Sequence, residues 1–188
     1  VSDLMWNTEI FTSAERAKAV ATEHAVPTMQ SDQRLLRNTL GNFATGVAVV
    51  TYESKGEYHG VTVNSFTSVS MDPPLVLISL MRSSRALNYL MERPFAVNIL
   101  GNEQLATALQ FAGKPQEGHE IEWVTEEQAP RINDSLAFFQ CQPWAGHDGG
   151  DHVLLLGEVQ SFGQRDESKP LLFYRGRWSE LAAAENTA

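Results

Sequence analysis

Residues 61–80 read V-T-V-N-S-F-T-S-V-S-M-D-P-P-L-V-L-I-S-L. The first half of this stretch is rich in β-branched and hydroxyl residues, the composition of a strand. Side chains alternate between the two faces of a strand. One face would carry Thr62, Asn64, Phe66, Ser68 and Ser70, the other Val61, Val63, Ser65, Thr67 and Val69. Neither is a plain core face. So many short hydrogen-bonding groups suit a flat polar ligand laid along the strand; an ordinary half-exposed strand is the competing reading. Met71-Asp72-Pro73-Pro74 marks a turn, because two prolines remove two donors and Pro73 biases Asp72 away from the helical region;. Residues 75–80 are a continuous apolar run, which predicts a short strand buried on both faces;.

Beyond that run stand Arg82-Ser83-Ser84-Arg85, then Leu87, Leu90 and Met91 at helical spacing. Ser83 or Ser84 is placed to cap a helix. A helix start offers free N–H groups and a positive dipole end, and two arginines beside it suggest a phosphate site. Plain capping is the alternative.

The run T-V-N-S-F-T-S-V-S-M-D-P-P-L-V followed by Ser-Ser-Arg resembles the flavin reductase family of two-component monooxygenase systems. The likeness extends from about Arg34 to Leu181. It implies a mainly β fold with short flanking helices, an antiparallel split β-barrel of Greek-key type that binds flavin. It implies a homodimer with the flavin at the subunit interface, FAD or FMN as the flavin, and NADH or NADPH as hydride donor. Reduced flavin would pass to a separate oxygenase component. Carried over residue by residue, the likeness implies cofactor contacts at Thr45, Thr62, Val63, Asn64, Ser65, Phe66, Thr67, Ser79, Ser83, Ser84, Arg85, Asn98, Phe111, His152, Tyr174 and Arg175. His152, in Gly150-Asp151-His152, is the implied catalytic position, on the nicotinamide side of the flavin.

Composition sets bounds on this. The chain has 188 residues, enough for one domain with a real core;. Its formal net charge of −9 argues against nucleic acid as a partner;. The same charge means that local positive groups must meet an anionic cofactor. Cys141 is the single cysteine, so no intrachain disulfide exists, and a reducing, cytoplasmic setting is expected;. The longest apolar runs are too short to span a bilayer.

Taken in order, residues 1–30 form an extension outside the resemblance, and residues 31–188 form the domain. Ser31 or Asp32 would cap a helix with Leu36, Leu40 and Phe43 on one face;. Strands are expected over residues 47–52, from Tyr58 into the central stretch, and over residues 95–100, 121–124, 136–142, 153–162 and 171–178;. Residues 53–57 form a hairpin loop. Pro94 ends the helix that starts near Arg85. Asn102 caps a helix carrying Leu105, Ala108, Leu109 and Ala112, which Gly113 stops;.

Few motifs carry chemistry of their own. Gly41 to Gly46 has the glycine spacing of a phosphate loop but lacks the Lys-Ser/Thr that must follow;. No Gly-x-Gly-x-x-Gly and no βαβ rhythm occur, so a nicotinamide cofactor would bind without a Rossmann domain;. His147, Asp148, Asp151 and His152 sit in one glycine-rich hairpin, but their spacing matches no strong zinc pattern;. No Gly-x-Ser-x-Gly marks a nucleophile;. Hydride transfer between cofactors needs only stacking, orientation and electrostatics from the protein. Backbone N–H groups near residues 64–67 would face the flavin's polar edge. In Tyr174-Arg175-Gly176-Arg177-Trp178, either arginine could meet a phosphate, or both could end an exposed strand;. Two rivals to a reductase remain: a flavin-binding module without turnover, and a self-sufficient flavoenzyme that keeps its flavin.

Overall fold

The computed structural model describes residues 29–165 and 168–182. Residues 1–28, most of the expected extension, lie outside the described residues. Residue contacts divide the chain into two units, Val1–Arg37 and Asn38–Ala188. Helix α1, Met29–Leu40, begins before the expected caps, so Asp32 lies in its first turn, where a carboxylate favours the positive dipole end;. Leu36, Leu40 and Phe43 are all more than half exposed.

The second unit is mainly antiparallel β. Its strands are β1 (Thr45–Gly46), β2 (Ala48–Ser54), β3 (Glu57–Val63), β4 (Thr67–Met71), β5 (Pro74–Met81), β6 (Phe95–Ile99), β7 (Trp123–Val124), β8 (Arg131–Ile132), β9 (Ala137–Gly149), β10 (His152–Gln164), β11 (Leu171–Tyr174) and β12 (Arg177–Glu180). Helix α2 is Leu87–Leu90, and α3 is Leu105–Phe111, preceded by a 3-10 turn at Asn102–Gln104. Gly113 ends α3 at φ 77°, as expected.

The central sheet runs β3-β2-β6-β9-β10-β5-β4. The stretch expected as one strand is therefore two, and they lie at opposite edges of the sheet. Only residues 64–66 separate β3 from β4. A flat seven-stranded sheet would hold its edges about 29 Å apart, at six spacings of 4.8 Å. Four residue steps reach about 14 Å at most. The sheet must therefore curl until its edges approach. Its ladder stays open, because β3 and β4 do not pair with each other. The expected barrel is thus matched in its antiparallel, curled sheet and not in closure.

Ser65 fastens this approach. Its Oγ donates to the Ser79 carbonyl (2.9 Å) and accepts from the Ser79 N–H (3.0 Å). Pairing of β4 with β5 reaches only Leu77, so the Ser65 hydroxyl satisfies the next ladder position, which no strand covers;.

Burial follows a period of two. Ala48, Val50 and Tyr52 of β2 point into one core with Val76, Ile78, Leu80, Phe95, Val97, Cys141 and Leu155;. Val49 points the other way, into a second core with Val47, Leu100, Ala108, Ile132 and Leu171. The apolar run expected to be buried on both faces alternates instead: Val76, Ile78 and Leu80 are buried, whereas Leu75, Leu77 and Ser79 are half-buried. This strand sits one place from the sheet edge, so only its core face is fully covered.

Two expected boundaries move for the same reason, cross-strand pairing over local propensity. The glycine-rich stretch around His147 is mostly strand, and the β9–β10 turn contains only Gly150 and Asp151. The single strand expected over residues 171–178 is a hairpin, turned by Arg175 and Gly176 at φ 48° and 74°. Positive φ at both central residues is the signature of a type I′ two-residue hairpin turn.

Candidate functional site

Four segments converge on one cleft of about 410 Å3. They are the end of β3 with the residues after it (Val61, Thr62, Val63, Asn64, Ser65), the end of β5 (Ser79, Leu80, Met81), the turn holding Ser83 and Ser84, and His152 at the start of β10. Strand register explains the meeting: His152 pairs with Met81. The volume lies within the ~300–1,000 Å3 typical of cofactor and small-molecule sites.

The polar side chains here divide in two. Thr62 Oγ1 donates to the Ala108 carbonyl (2.7 Å), and Ser65 is committed to Ser79. Among the described residues, the side chains of Asn64, Ser83 and Ser84 make no hydrogen bond, and His152 uses only Nδ1. That nitrogen lies 2.7 Å from Asp151 Oδ1. The His152 contact holds the Asp151 carboxyl below its ordinary range, so the carboxylate can only accept;. Nδ1 therefore carries a proton, and Nε2 is left for a ligand. Two hydroxyls, one amide and one imidazole nitrogen are thus uncommitted in one cleft. This donor and acceptor set fits a flavin or nicotinamide, both flat and polar-edged.

The hairpin that presents His152 is tied down by Arg82. Its backbone N–H donates to the Asp151 carbonyl (3.0 Å), its Nε to the Gly150 carbonyl (2.7 Å), and its guanidinium pairs with Asp148. The Gly150 N–H also donates to Asp148 Oδ1 (3.0 Å). That backbone bond and Arg82 together hold the Asp148 carboxyl below its ordinary range.

Several expected contacts do not gather here. Helix α2 is only four residues long, its N-cap position is Ala86, and no side chain caps it. Ser83 and Ser84 therefore line the cleft from a turn and not as helix caps, and the dipole argument for a phosphate falls away. Arg85 is exposed and outside the cleft lining. Asn98 is fully buried. Its amide donates to the Val49 carbonyl and Thr51 Oγ1 (both 2.9 Å) and accepts from the Ile132 N–H (2.8 Å), so it pins β2, β6 and β8 together and has little left for a ligand;. Phe111 packs edge-on against Trp123 and covers Gly60, where a Cβ would lie 2.7 Å from its ring. Phe66 stacks on Phe139. Thr67 is an exposed residue of β4. Thr45 pairs with Phe173 in β1, and its Oγ1 is buried without a partner among the described residues. Tyr174 and Arg175 line a different cavity.

Sequence reasoning missed the tie made by Arg82. Arg82 and Asp148 are 66 positions apart, and no local pattern links them. Among the described residues no three His, Cys, Asp or Glu side chains gather as a metal site. No described helix is long and apolar enough to cross a membrane.

The chain matches the flavin reductase like domain over residues 40–182. It is 38% identical over 162 residues to an FMN reductase (NADH), SmoA, of Agrobacterium fabrum, covering 85% of this chain and 92% of that one. It is 37% identical over 166 residues to the reductase subunit HsaB of a flavin-dependent monooxygenase from Rhodococcus jostii, covering 86% and 85%. Among solved structures, the NADH:FAD oxidoreductase SgcE6 of Streptomyces globisporus C-1027, in complex with NAD and FAD fragments, superposes with a TM-score of 0.74 at 34% identity, covering 87% of this chain and all of that one. With most of its length matched at this level, the chain belongs to the flavin reductase like domain family.

Proposed function

We propose that the protein is a flavin reductase that uses NADH or NADPH to reduce FAD or FMN and passes the reduced flavin to a separate oxygenase. The observation that carries this reading is the cleft in which Asn64, Ser83, Ser84 and His152 all hold uncommitted polar groups. Hydride transfer from nicotinamide to flavin is the cofactors' own chemistry. The chain's part is to bind, orient and shield. Asn64, Ser83 and Ser84 meet polar groups of the flavin. Val61, Leu80 and Met81 supply apolar wall. His152 Nε2 faces the donor at the cleft mouth, and no proton need leave it.

Relatives named for a reductase subunit, an FMN reductase and an FAD oxidoreductase support the function and leave the flavin open between the two. The reading includes a split barrel assembled as a homodimer in the cytoplasm. The curled, open sheet supports the barrel.

The test is NADH and NADPH oxidation by the purified protein, with and without added FMN, FAD or riboflavin. Oxidation that requires added flavin is the expected result. A yellow protein that turns over without added flavin would identify a self-sufficient flavoenzyme instead. No flavin-dependent oxidation would leave only a binding module.

A further inference from the structure

Met81 ends β5 and lines the His152 cleft, with 55% of its surface exposed. Strand pairing sets it directly opposite His152 on β10. Side chains of such a pair share a face, with Cβ atoms about 4.5–5.5 Å apart. The Met81 carbonyl also accepts from the Ser84 N–H (2.9 Å), so the residue anchors the turn that carries Ser83 and Ser84. A flexible thioether thus forms part of the cleft wall where two of its polar segments meet;.

Exposed thioethers and thiolates are the side-chain groups that peroxide oxidises. The sulfur atoms of the other described side chains stand away from the cleft. Cys141 is fully buried, and burial pushes its thiol up to about 12, so it holds almost no thiolate to react;. Met91 lies against Gly146, where a Cβ would meet its methyl at 3.0 Å, and Met71 ends β4. Neither lines the cleft.

Reduced flavin that meets oxygen before it meets an oxygenase gives up two electrons and two protons. Oxidised flavin and hydrogen peroxide result. The thioether sulfur can then donate an electron pair to one peroxide oxygen. The O–O bond breaks, an S–O bond forms, and the second oxygen takes the first one's proton and leaves as water. We propose that Met81 is a peroxide-sensitive modification site whose sulfoxide weakens flavin binding. The sulfoxide puts a polar, chiral group beside His152 in place of an apolar one. The favourable contact of a thioether with a flat ring is lost with it. The cleft then slows when reduced flavin is made faster than it is consumed, and methionine sulfoxide reductases reverse the change. The proposal rests on the reductase reading, which supplies both the flavin and the peroxide.

The experiment doses the full-length protein, Met81→Leu and Met71→Leu with hydrogen peroxide in the absence of flavin, and stops the reaction with catalase. Peptide mass mapping locates the added oxygen. FMN affinity is read by fluorescence titration, each protein against its own untreated sample. Treatment should weaken FMN binding about fivefold in the unaltered protein and in Met71→Leu, but not in Met81→Leu. Methionine sulfoxide reductases should restore the affinity. The proposal is overturned if Met81 stays unoxidised, if Met81→Leu loses as much affinity as the unaltered protein, or if repair of the sulfoxide leaves binding weak. Mapping and repair need only the unaltered protein, so the test stands if Met81→Leu misfolds. Aerobic NADH oxidation with FMN, with and without catalase, tests the source of the oxidant. Met81 sulfoxide should accumulate without catalase and not with it; none in either arm, or equal amounts in both, overturns the peroxide route. Absence of any NADH oxidation fails the reductase reading, whereas peroxide dosing reads Met81 without turnover, so the two failures are distinct.

Discussion

In the proposed function His152 faces the nicotinamide donor across the cleft. Asp151 fixes its tautomer, and β10 pairing fixes its place. Changing His152 to Ala should raise the NADH KM and slow reduction of bound flavin by about tenfold, the effect of one well-placed hydrogen bond. Stopped-flow reduction over a range of NADH concentrations, beside a flavin titration, would check this. Unchanged NADH kinetics with weakened flavin binding would move His152 to the flavin. Arg82 acts through the hairpin and so is a positioning residue. Arg82→Ala should also raise the NADH KM, and Arg82→Lys should recover little, because lysine lacks the fork that reaches Asp148 and Gly150 together. The same variant has a signature in pH. The folded pKa of Asp148 lies below the ordinary carboxylate value of ~3.9;. Its interactions are therefore present above that value and lost as pH falls through the depressed one. A carboxyl NMR titration of Asp148 should show a depressed midpoint that rises toward the ordinary value in Arg82→Ala. An unmoved midpoint would mean that Arg82 does not hold the hairpin in solution. Cys141, fully buried with its thiol pushed up to about 12 by desolvation, packs as a small hydrophobe and has no part in this;.

At the scale of elements, the site depends on a break in a strand. Residues 64–66 leave the ladder between β3 and β4, and Ser65 replaces the missing strand at Ser79. Ser65→Ala would leave the Ser79 N–H and carbonyl unsatisfied in a half-buried place, at a cost of roughly 1–3 kcal/mol. For a chain of this length each kcal/mol lowers Tm by about 2–4 °C. Calorimetric melting should thus show a loss of several degrees, together with weaker flavin binding, because the cleft wall is the same segment. A variant with unchanged Tm would show that water replaces the hydroxyl and that the sheet edge needs no clip. The long β9–β10 hairpin has a comparable close approach at Gly157, where a Cβ would lie 2.6 Å from the Phe95 ring.

For the whole molecule, the exposed apolar residues bear on assembly. Met71 at the end of β4 is 91% exposed and Phe162 in β10 is 75% exposed. Single exposed apolar side chains are ordinary. Met71, Val69 and Phe162 are exposed apolar side chains on strands, and the dimer of the proposed function would give them a surface to cover;. Sedimentation should give a dimer. A fully active monomer would remove the shared-interface site from the proposed function.

Much was legible from local chemistry. The turn at Asp72-Pro73-Pro74, the helix stop at Gly113 and the strands at Phe95 and Leu171 follow from residues acting on their immediate neighbours. So does the polar character of Thr62, Asn64 and Ser65, all of which line the cleft, Asn64 with its amide uncommitted. Whether a polar residue faces a ligand or holds the fold was not legible. Asn98 and Ser65 look as available in sequence as Asn64, yet their partners are Ile132 and Ser79, brought near only by folding. Hydrogen bonds and strand register act between residues far apart in the chain, and a one-residue shift exchanges the faces of a strand. Residue type therefore set what each position can do, and long-range pairing set which of those capacities remain free for a ligand.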